Sequence, residues 1–214
     1  MNKKQRAEKV IEILNNTYGT DLICYLEYDH GKPWQLLFAT ILSAQCTDER
    51  VNMVTKELFK KYPTLDAFAN AELHEMERDI HSIGFYHSKA KNLIGAANML
   101  LDKYDGNVPS DIEELTKLPG VGRKTANVVR GNIYGIPSIV VDTHVKRVSG
   151  LLGLTRETDP AKIEKDLEKV LPKSAWILYN FQIIAHGRKI CVAGRPKCSI
   201  CPLYEVCKGR KVVS

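Results

Sequence analysis

Apolar positions recur at helical spacing through most of the chain. Ala7, Val10, Ile11 and Leu14 make one stripe and Ile163, Leu167, Val170 and Leu171 another, so each predicts an amphipathic helix with one buried face. The second has well-marked ends. Asp159-Pro160 supplies an N-cap with proline at the first helical position, and Pro172 stops the helix. Residues Leu36 to Ala44 are apolar on nearly every side, which predicts a helix buried all round at the centre of a bundle. Strand-like alternation is missing. The one β-branched run, Ile139-Val140-Val141, is short and follows Gly135 and Pro137, so it reads as an extended connector. The expected fold class is all-α.

The punctuation between stripes points to a helical hairpin. Pro109-Ser110 opens a helix with a capping box made by Ser110 and Glu113, and the apolar positions Ile112, Leu115 and Leu118 run into Pro119-Gly120-Val121-Gly122. A second helix with the stripe Ala126, Val129 and Ile133 follows. The link is so short that the helices must fold back on each other with Val121 between them. Gly120 and Gly122 let backbone amides approach an anion, and the free N–H groups opening the second helix add the positive end of its dipole. A plain αα-corner, in which glycine only satisfies a tight turn, fits the same four residues. Arg123 and Lys124 immediately after the turn favour the phosphate clamp. Further on, Asp142 precedes the stripe Val145, Val148 and Leu152, where its simplest task is to cap that helix.

Composition narrows the class. The 214 residues are 44% hydrophobic and 26% charged, an ordinary globular balance that excludes a disordered or fibrous chain. Length allows one or two domains, and two small lobes are expected, with a soft boundary at the Gly135–Pro137 break. No apolar run approaches the ~18 residues of a membrane span. Met1 to Val10 is polar and basic, without the apolar core of a secretion signal, so a cytoplasmic protein with no membrane partner is expected. The net charge of +6 suits a polyanionic partner and serves solubility equally well.

Four of the six cysteines, Cys191, Cys198, Cys201 and Cys207, crowd into the last stretch, while Cys24 and Cys46 stand alone in apolar contexts and read as small buried hydrophobes. In a reducing compartment such a cluster reads as a metal site. Its C-x6-C-x2-C-x5-C spacing brings four sulfurs to one centre. Only Cys198 and Cys201 form the C-x2-C knuckle of a zinc ribbon, whereas a cubane iron–sulfur cluster accepts compact loops of this kind, so the spacing favours iron–sulfur over zinc. Arg195 and Lys197 sit between the first two ligands, where folding around a metal would fix a basic surface.

Taken together, Leu118-Pro-Gly-Val-Gly-Arg-Lys-Thr-Ala126, Val141-Asp-Thr-His144, the four-cysteine tail, Leu42-Ser-Ala-Gln-Cys-Thr-Asp48 and Gly84-Phe-Tyr-His-Ser-Lys-Ala90 resemble the endonuclease III family of DNA glycosylases. The likeness runs through most of the chain. It implies a two-lobed helix-hairpin-helix architecture: a six-helix barrel lobe over residues 26–136, a [4Fe–4S] lobe from residues 1–25 and 137–214, and a DNA cleft between them. It implies that Lys124 is the catalytic amine and Asp142 the catalytic carboxylate of a base-excision enzyme that acts, as a monomer, on double-stranded DNA with a damaged base or an abasic site. Related adenine glycosylases lack the lysine and only hydrolyse the base away, so Lys124 implies a bifunctional glycosylase and AP lyase, with oxidised pyrimidines as the family default. By position, Gln45 and Phe85 match residues that enter the duplex and His144 one that contacts DNA near the lesion; Phe85 stands where an aliphatic residue is expected. Without the resemblance Gln45 reads as a helix-end polar group, Phe85 as a core aromatic and His144 as a surface imidazole. The competing readings are a monofunctional, mismatch or pyrimidine-dimer glycosylase, a DNA-binding iron–sulfur module without chemistry, and an electron carrier.

Overall fold

Helices supply the regular structure of the computed structural model, which describes residues 1–21 and 24–210, and no strand occurs among the described residues. The fold is all-α, as the periodicity predicts. In chain order the helices are α1 (Lys3–Tyr18), α2 (Pro33–Leu42), α3 (Asp48–Lys61), α4 (Leu65–Ala69), α5 (Leu73–Asp79), α6 (Tyr86–Tyr104), α7 (Ile112–Leu115), α8 (Arg123–Tyr134), α9 (Thr143–Leu152), α10 (Pro160–Val170) and α11 (Trp176–Lys189). Single 3-10 turns lie at Lys173–Ala175, just before α11, and at Cys198–Ile200 and Tyr204–Val206. Two compact units result: Cys24–Ile136, and a second built from Met1–Ile23 with Pro137–Ser214.

The unit Cys24–Ile136 is organised around α2, in which every residue from Trp34 to Leu42 is buried. It contacts α3, α6 and α8. The all-buried helix expected over residues 36–44 stops at Leu42, two residues early. Ser43 caps it by donating its N–H to the Ala39 carbonyl, and the left-handed φ of Gln45 then turns the chain away, leaving Ala44 exposed. Beside α2 lies an aromatic cluster: Phe68 sits 4.9 Å from the Phe38 ring, 5.2 Å from Tyr62 and 5.5 Å from Trp34, close enough for edge-to-face attraction on top of the area buried. Helix α7 is a single turn, and its cap is Asp111 rather than Ser110. One Asp111 carboxylate oxygen accepts the N–H groups of both Glu113 and Glu114, at 2.9 and 3.1 Å, and its charge suits the positive end of the helix. Leu118 lies beyond that turn yet is still buried, so the apolar spacing read from the sequence marks packing but not helix length.

The other unit packs the predicted stripes against one another. Ala7, Val10 and Leu14 of α1 share a core with Val145, Val148 and Leu152 of α9, Ile163 and Leu167 of α10, and Tyr179 and Ile183 of α11. Helix α10 begins as the sequence predicts, with Asp159 capping Lys162 N–H at 3.0 Å and Pro160 at the first position, and its cap residue Leu171 turns extended just before Pro172. Ile139 to Val141 lie outside regular structure and connect α8 to α9, with Ile139 and Val140 buried. Gln182 secures the end of α1 by donating to the Asn15 side chain at 2.9 Å and to the Gly19 carbonyl at 2.8 Å.

Replacing Phe68 by alanine removes a fully buried ring from the aromatic cluster and is expected to lower stability by roughly 3–5 kcal/mol. Urea denaturation reads this directly, and a loss under ~1 kcal/mol would show that the cluster is not tightly packed.

Candidate nucleic-acid interface and metal centre

The hairpin between α7 and α8 separates two roles that the sequence left joined. Gly120 adopts φ +76°, and a Cβ there would stand 2.7 Å from the Asn92 side chain, so glycine is required by the turn itself. Val121 donates its N–H to the Leu118 carbonyl and is buried between the helices, as expected. Gly122 is different. It is the N-cap of α8 in ordinary extended geometry, exposed, with open space within 4 Å of where a Cβ would stand and no side-chain cap on the helix that follows. The first-turn amides of α8 therefore face an open approach, with Arg123 and Lys124 exposed beside them. Helix α8 is anchored from behind, Arg130 Nε donating to the Ser110 carbonyl at 3.1 Å and the Tyr134 hydroxyl to the Val108 carbonyl. Gly120 serves the corner, and Gly122 leaves the approach to the helix start open.

Gln45 and Phe85, in the same unit, are both exposed and both hold left-handed backbones, φ 56° and 60°. Phe85 is 66% exposed, which removes the reading of a core aromatic. A large side chain held outward in that backbone region is uncommon and suits a protrusion that must meet something.

In the other unit, Asp142 caps α9 by accepting the Val145 N–H at 2.7 Å. His144, in the first turn, is half-buried, and burial pushes its pKa down, with Arg147 and Arg188 acting in the same direction and Asp142 against them. Arg147 reaches the opposite way. Its guanidinium donates to the Cys191 carbonyl at 2.6 Å and lies 3.4 Å from the Cys191 sulfur, while its other nitrogen is 3.5 Å from His144 Nδ1. Gly187 of α11 makes this possible, because a Cβ there would stand 2.4 Å from His144 Nδ1.

Cys191, Cys198, Cys201 and Cys207 all line one cavity of 260 Å³, together with Arg147 and His186. Among the described residues no group of His, Cys, Asp or Glu closes tightly enough to hold a single metal ion. The cavity has room for a polynuclear cluster, and four thiols are the donor set that such a cluster takes. Burial raises the pKa of the Cys201 and Cys207 thiols, a penalty that bound iron cancels by holding them as thiolates. His186 is buried and its pKa is pushed down to about 4, first by burial and then by Arg147, so the ring is neutral at pH 7. A ligating thiolate only accepts, so Nε2–H donates to Cys201 Sγ at 3.6 Å and Nδ1 accepts from the Tyr18 hydroxyl at 2.9 Å. Arg195 and Lys197 are exposed on the loop between the first two cysteines, as expected.

Sequence reading missed Arg147, His186 and Lys89. Lys89 carried a signal: it shares the buried face of α6 with Leu93, Ala96 and Leu100, where a lysine needs a special partner. Arg147 and His186 lie in mixed stretches whose contacts arise only on folding.

Comparison with known proteins agrees on the whole chain. The family described as HhH-GPD superfamily base excision DNA repair protein matches residues 38–173, and the iron-sulfur binding domain of endonuclease III matches residues 191–207. Endonuclease III of Synechocystis sp. is 50% identical over 206 residues, covering 96% of this chain and 93% of its own. That of Escherichia coli K12 is 36% identical over 214 residues, covering 100% and 99%. A solved structure of a trapped endonuclease III–DNA covalent intermediate matches with TM-score 0.91 at 45% identity, covering 98% of this chain and 97% of the other.

Two outcomes are expected of these sites. Gly120→Ala should lose about 1–3 kcal/mol of stability from its strained φ and clash, whereas Gly122→Ala should melt within ~0.5 kcal/mol of the parent yet bind duplex DNA more weakly; equal melting of the two would contradict the division of roles. Cys198→Ser should lower iron content, melting temperature and duplex affinity together, and a stable iron-free protein with normal affinity would refute a structural metal centre.

Proposed function

The chain belongs to the endonuclease III family of base-excision DNA repair proteins, and we propose that its glycosylase and lyase chemistry runs through Lys124 and Asp142 on an extruded, oxidised pyrimidine nucleotide. The protein is a DNA glycosylase with AP lyase activity that carries a [4Fe–4S] cluster and binds DNA. The observation that carries the mechanistic reading is Lys124 standing exposed in the first turn of an uncapped helix, beside amides that suit a phosphate.

A base inside a duplex is out of reach, so the nucleotide must leave the stack, at a cost of a few kcal/mol that is least for a damaged base. The Lys124 amine, as the free base, attacks C1′ of the sugar. The glycosidic bond breaks, its electron pair leaves with the base, and the base takes up a proton. Loss of one amine proton, followed by opening of the sugar ring as O4′ takes up a proton, leaves a protonated Schiff base between Lys124 and C1′. Removal of a C2′ proton then expels the 3′ phosphate by β-elimination and cuts the strand. The Asp142 carboxylate stabilises positive charge developing on the sugar and takes up the proton that Lys124 gives away. Its bond to Val145 N–H holds it in place for that work, so capping and catalysis use the same group. Gln45 and Phe85 enter the space left by the base, and His144 contacts DNA near the lesion by hydrogen bonding. Gly120, Val121, Gly122 and Arg123 form the hairpin on the phosphate backbone, and Arg195 and Lys197 add charge from the cluster loop. When bound, the cluster cross-links the tail through its four thiolates and so orders that loop. The similar endonuclease III trapped as a covalent intermediate with DNA supports an enzyme-linked step. The reading keeps the monomeric, cytoplasmic and DNA-associated protein expected from the sequence.

Borohydride reduction in the presence of duplexes carrying an oxidised pyrimidine or an abasic site should trap a covalent protein–DNA adduct with the parent protein and none with Lys124→Ala, while duplex binding by that variant persists. An adduct of undiminished yield with Lys124→Ala would place the nucleophile elsewhere.

A further inference from the structure

Three non-glycine residues among those described hold a left-handed backbone: Gln45, Phe85 and Asp105. Asp105 closes α6, a usual place for that geometry. Gln45 and Phe85 are exposed, so burial of their own side chains does not repay the strain. A different group must hold each backbone in place, and the same residue contacts both.

We propose that Lys89 is a positioning residue that ties the Gln45 and Phe85 protrusions into one rigid device for opening the duplex. Its side chain is buried, 5% exposed, and its ammonium donates to the Leu42 carbonyl at 2.9 Å and to the Ala44 carbonyl at 2.6 Å. The first of these is an end carbonyl of α2, which has no helical partner of its own and sits at the negative end of the dipole. The second belongs to the peptide that joins Ala44 to Gln45, so holding it sets the orientation from which Gln45 departs. The main-chain N–H of Lys89 meanwhile donates to the Phe85 carbonyl at 3.1 Å and closes the first turn of α6 below Phe85. That bond is the first of the helix, so the Lys89 side chain joins the Gln45 loop to the turn that starts at Phe85. Lysine suits the place because its four-carbon stem runs along the apolar face of α6 and ends in donors that match two carbonyls. Burial favours the neutral amine, and the Cys46 thiol nearby counters this. A device ordered before DNA arrives does not lose side-chain and loop freedom when it enters the stack, so more of the contact energy goes into extruding the base.

The inference rests on the reading that both protrusions enter the duplex at a lesion, and the test separates the two. Lys89→Met keeps the stem and the main-chain N–H and removes the ammonium that ties the Gln45 loop to the first turn of α6. In single-turnover assays it should slow excision of an oxidised pyrimidine paired in a duplex by roughly tenfold or more, while cleavage at an abasic site, where no base must be extruded, and affinity for undamaged duplex stay within about twofold. 2-Aminopurine fluorescence beside the lesion should report less extrusion at equal occupancy. Combined with Gln45→Ala and Phe85→Ala, Lys89→Met should add no further loss, since residues acting through one another are non-additive. Equal loss on both substrates, or additive loss in the combined variant, would overturn the proposal. If Lys89→Met does not fold, Lys89→Gln, which keeps an amide donor on a shorter stem, must show the same selective loss. Parent-like excision by Gln45→Ala with Phe85→Ala would remove the duplex-entry reading; impairment there with parent-like Lys89→Met would remove the role of Lys89 alone.

Discussion

The first turn of an α-helix leaves backbone N–H groups without intrahelical partners and concentrates partial positive charge at one end. Most residues proposed for the chemistry stand where a helix begins. Lys124 lies in the first turn of α8, which has no side-chain cap, so its amides remain available to an anion. Asp142 is the cap of α9, and His144 lies one residue inside that helix. Phe85 is the left-handed residue from which α6 starts, and Gln45 stands two residues before Thr47, the cap of α3. The two starts contrast: that of α8 is left without a side-chain cap, and that of α9 is closed by the Asp142 carboxylate.

Rigid starts require support from behind, and that support is polar and buried. Lys89 under the Gln45 loop and Arg147 between α9 and Cys191 are both cations directed at main-chain carbonyls. His186 is a neutral ring clamped between Tyr18 and Cys201. Each group gives up hydration that only well-placed partners can offset, so each ties its neighbours to one arrangement. Between Cys191 and Cys207 the regular structure is a pair of 3-10 turns, and Leu203 and Val206 of the tail join the apolar core of that unit.

Periodicity determined the all-helical class, the buried stripes of α1 and α10, the connector at Ile139 to Val141 and the Asp142 cap, because these depend on spacing and local hydrogen bonds along a single segment. Cysteine spacing pointed to one shared centre for the same reason: short loops bring the four cysteines to the lining of one cavity. The hairpin was legible as a shape, while the assignment of Gly120 to the turn and Gly122 to the open approach depended on Asn92, a residue of another helix. Likewise the cap of α7 fell to Asp111 over Ser110 through a choice of one residue that local propensity does not resolve. Only tertiary structure placed Phe85 outside the core, set Lys89 against two carbonyls more than forty residues away in the chain, and brought Arg147 to Cys191. Those contacts join segments remote in sequence, and a pattern of residue types along the chain carries no record of which buried cation will meet which carbonyl once the helices have packed.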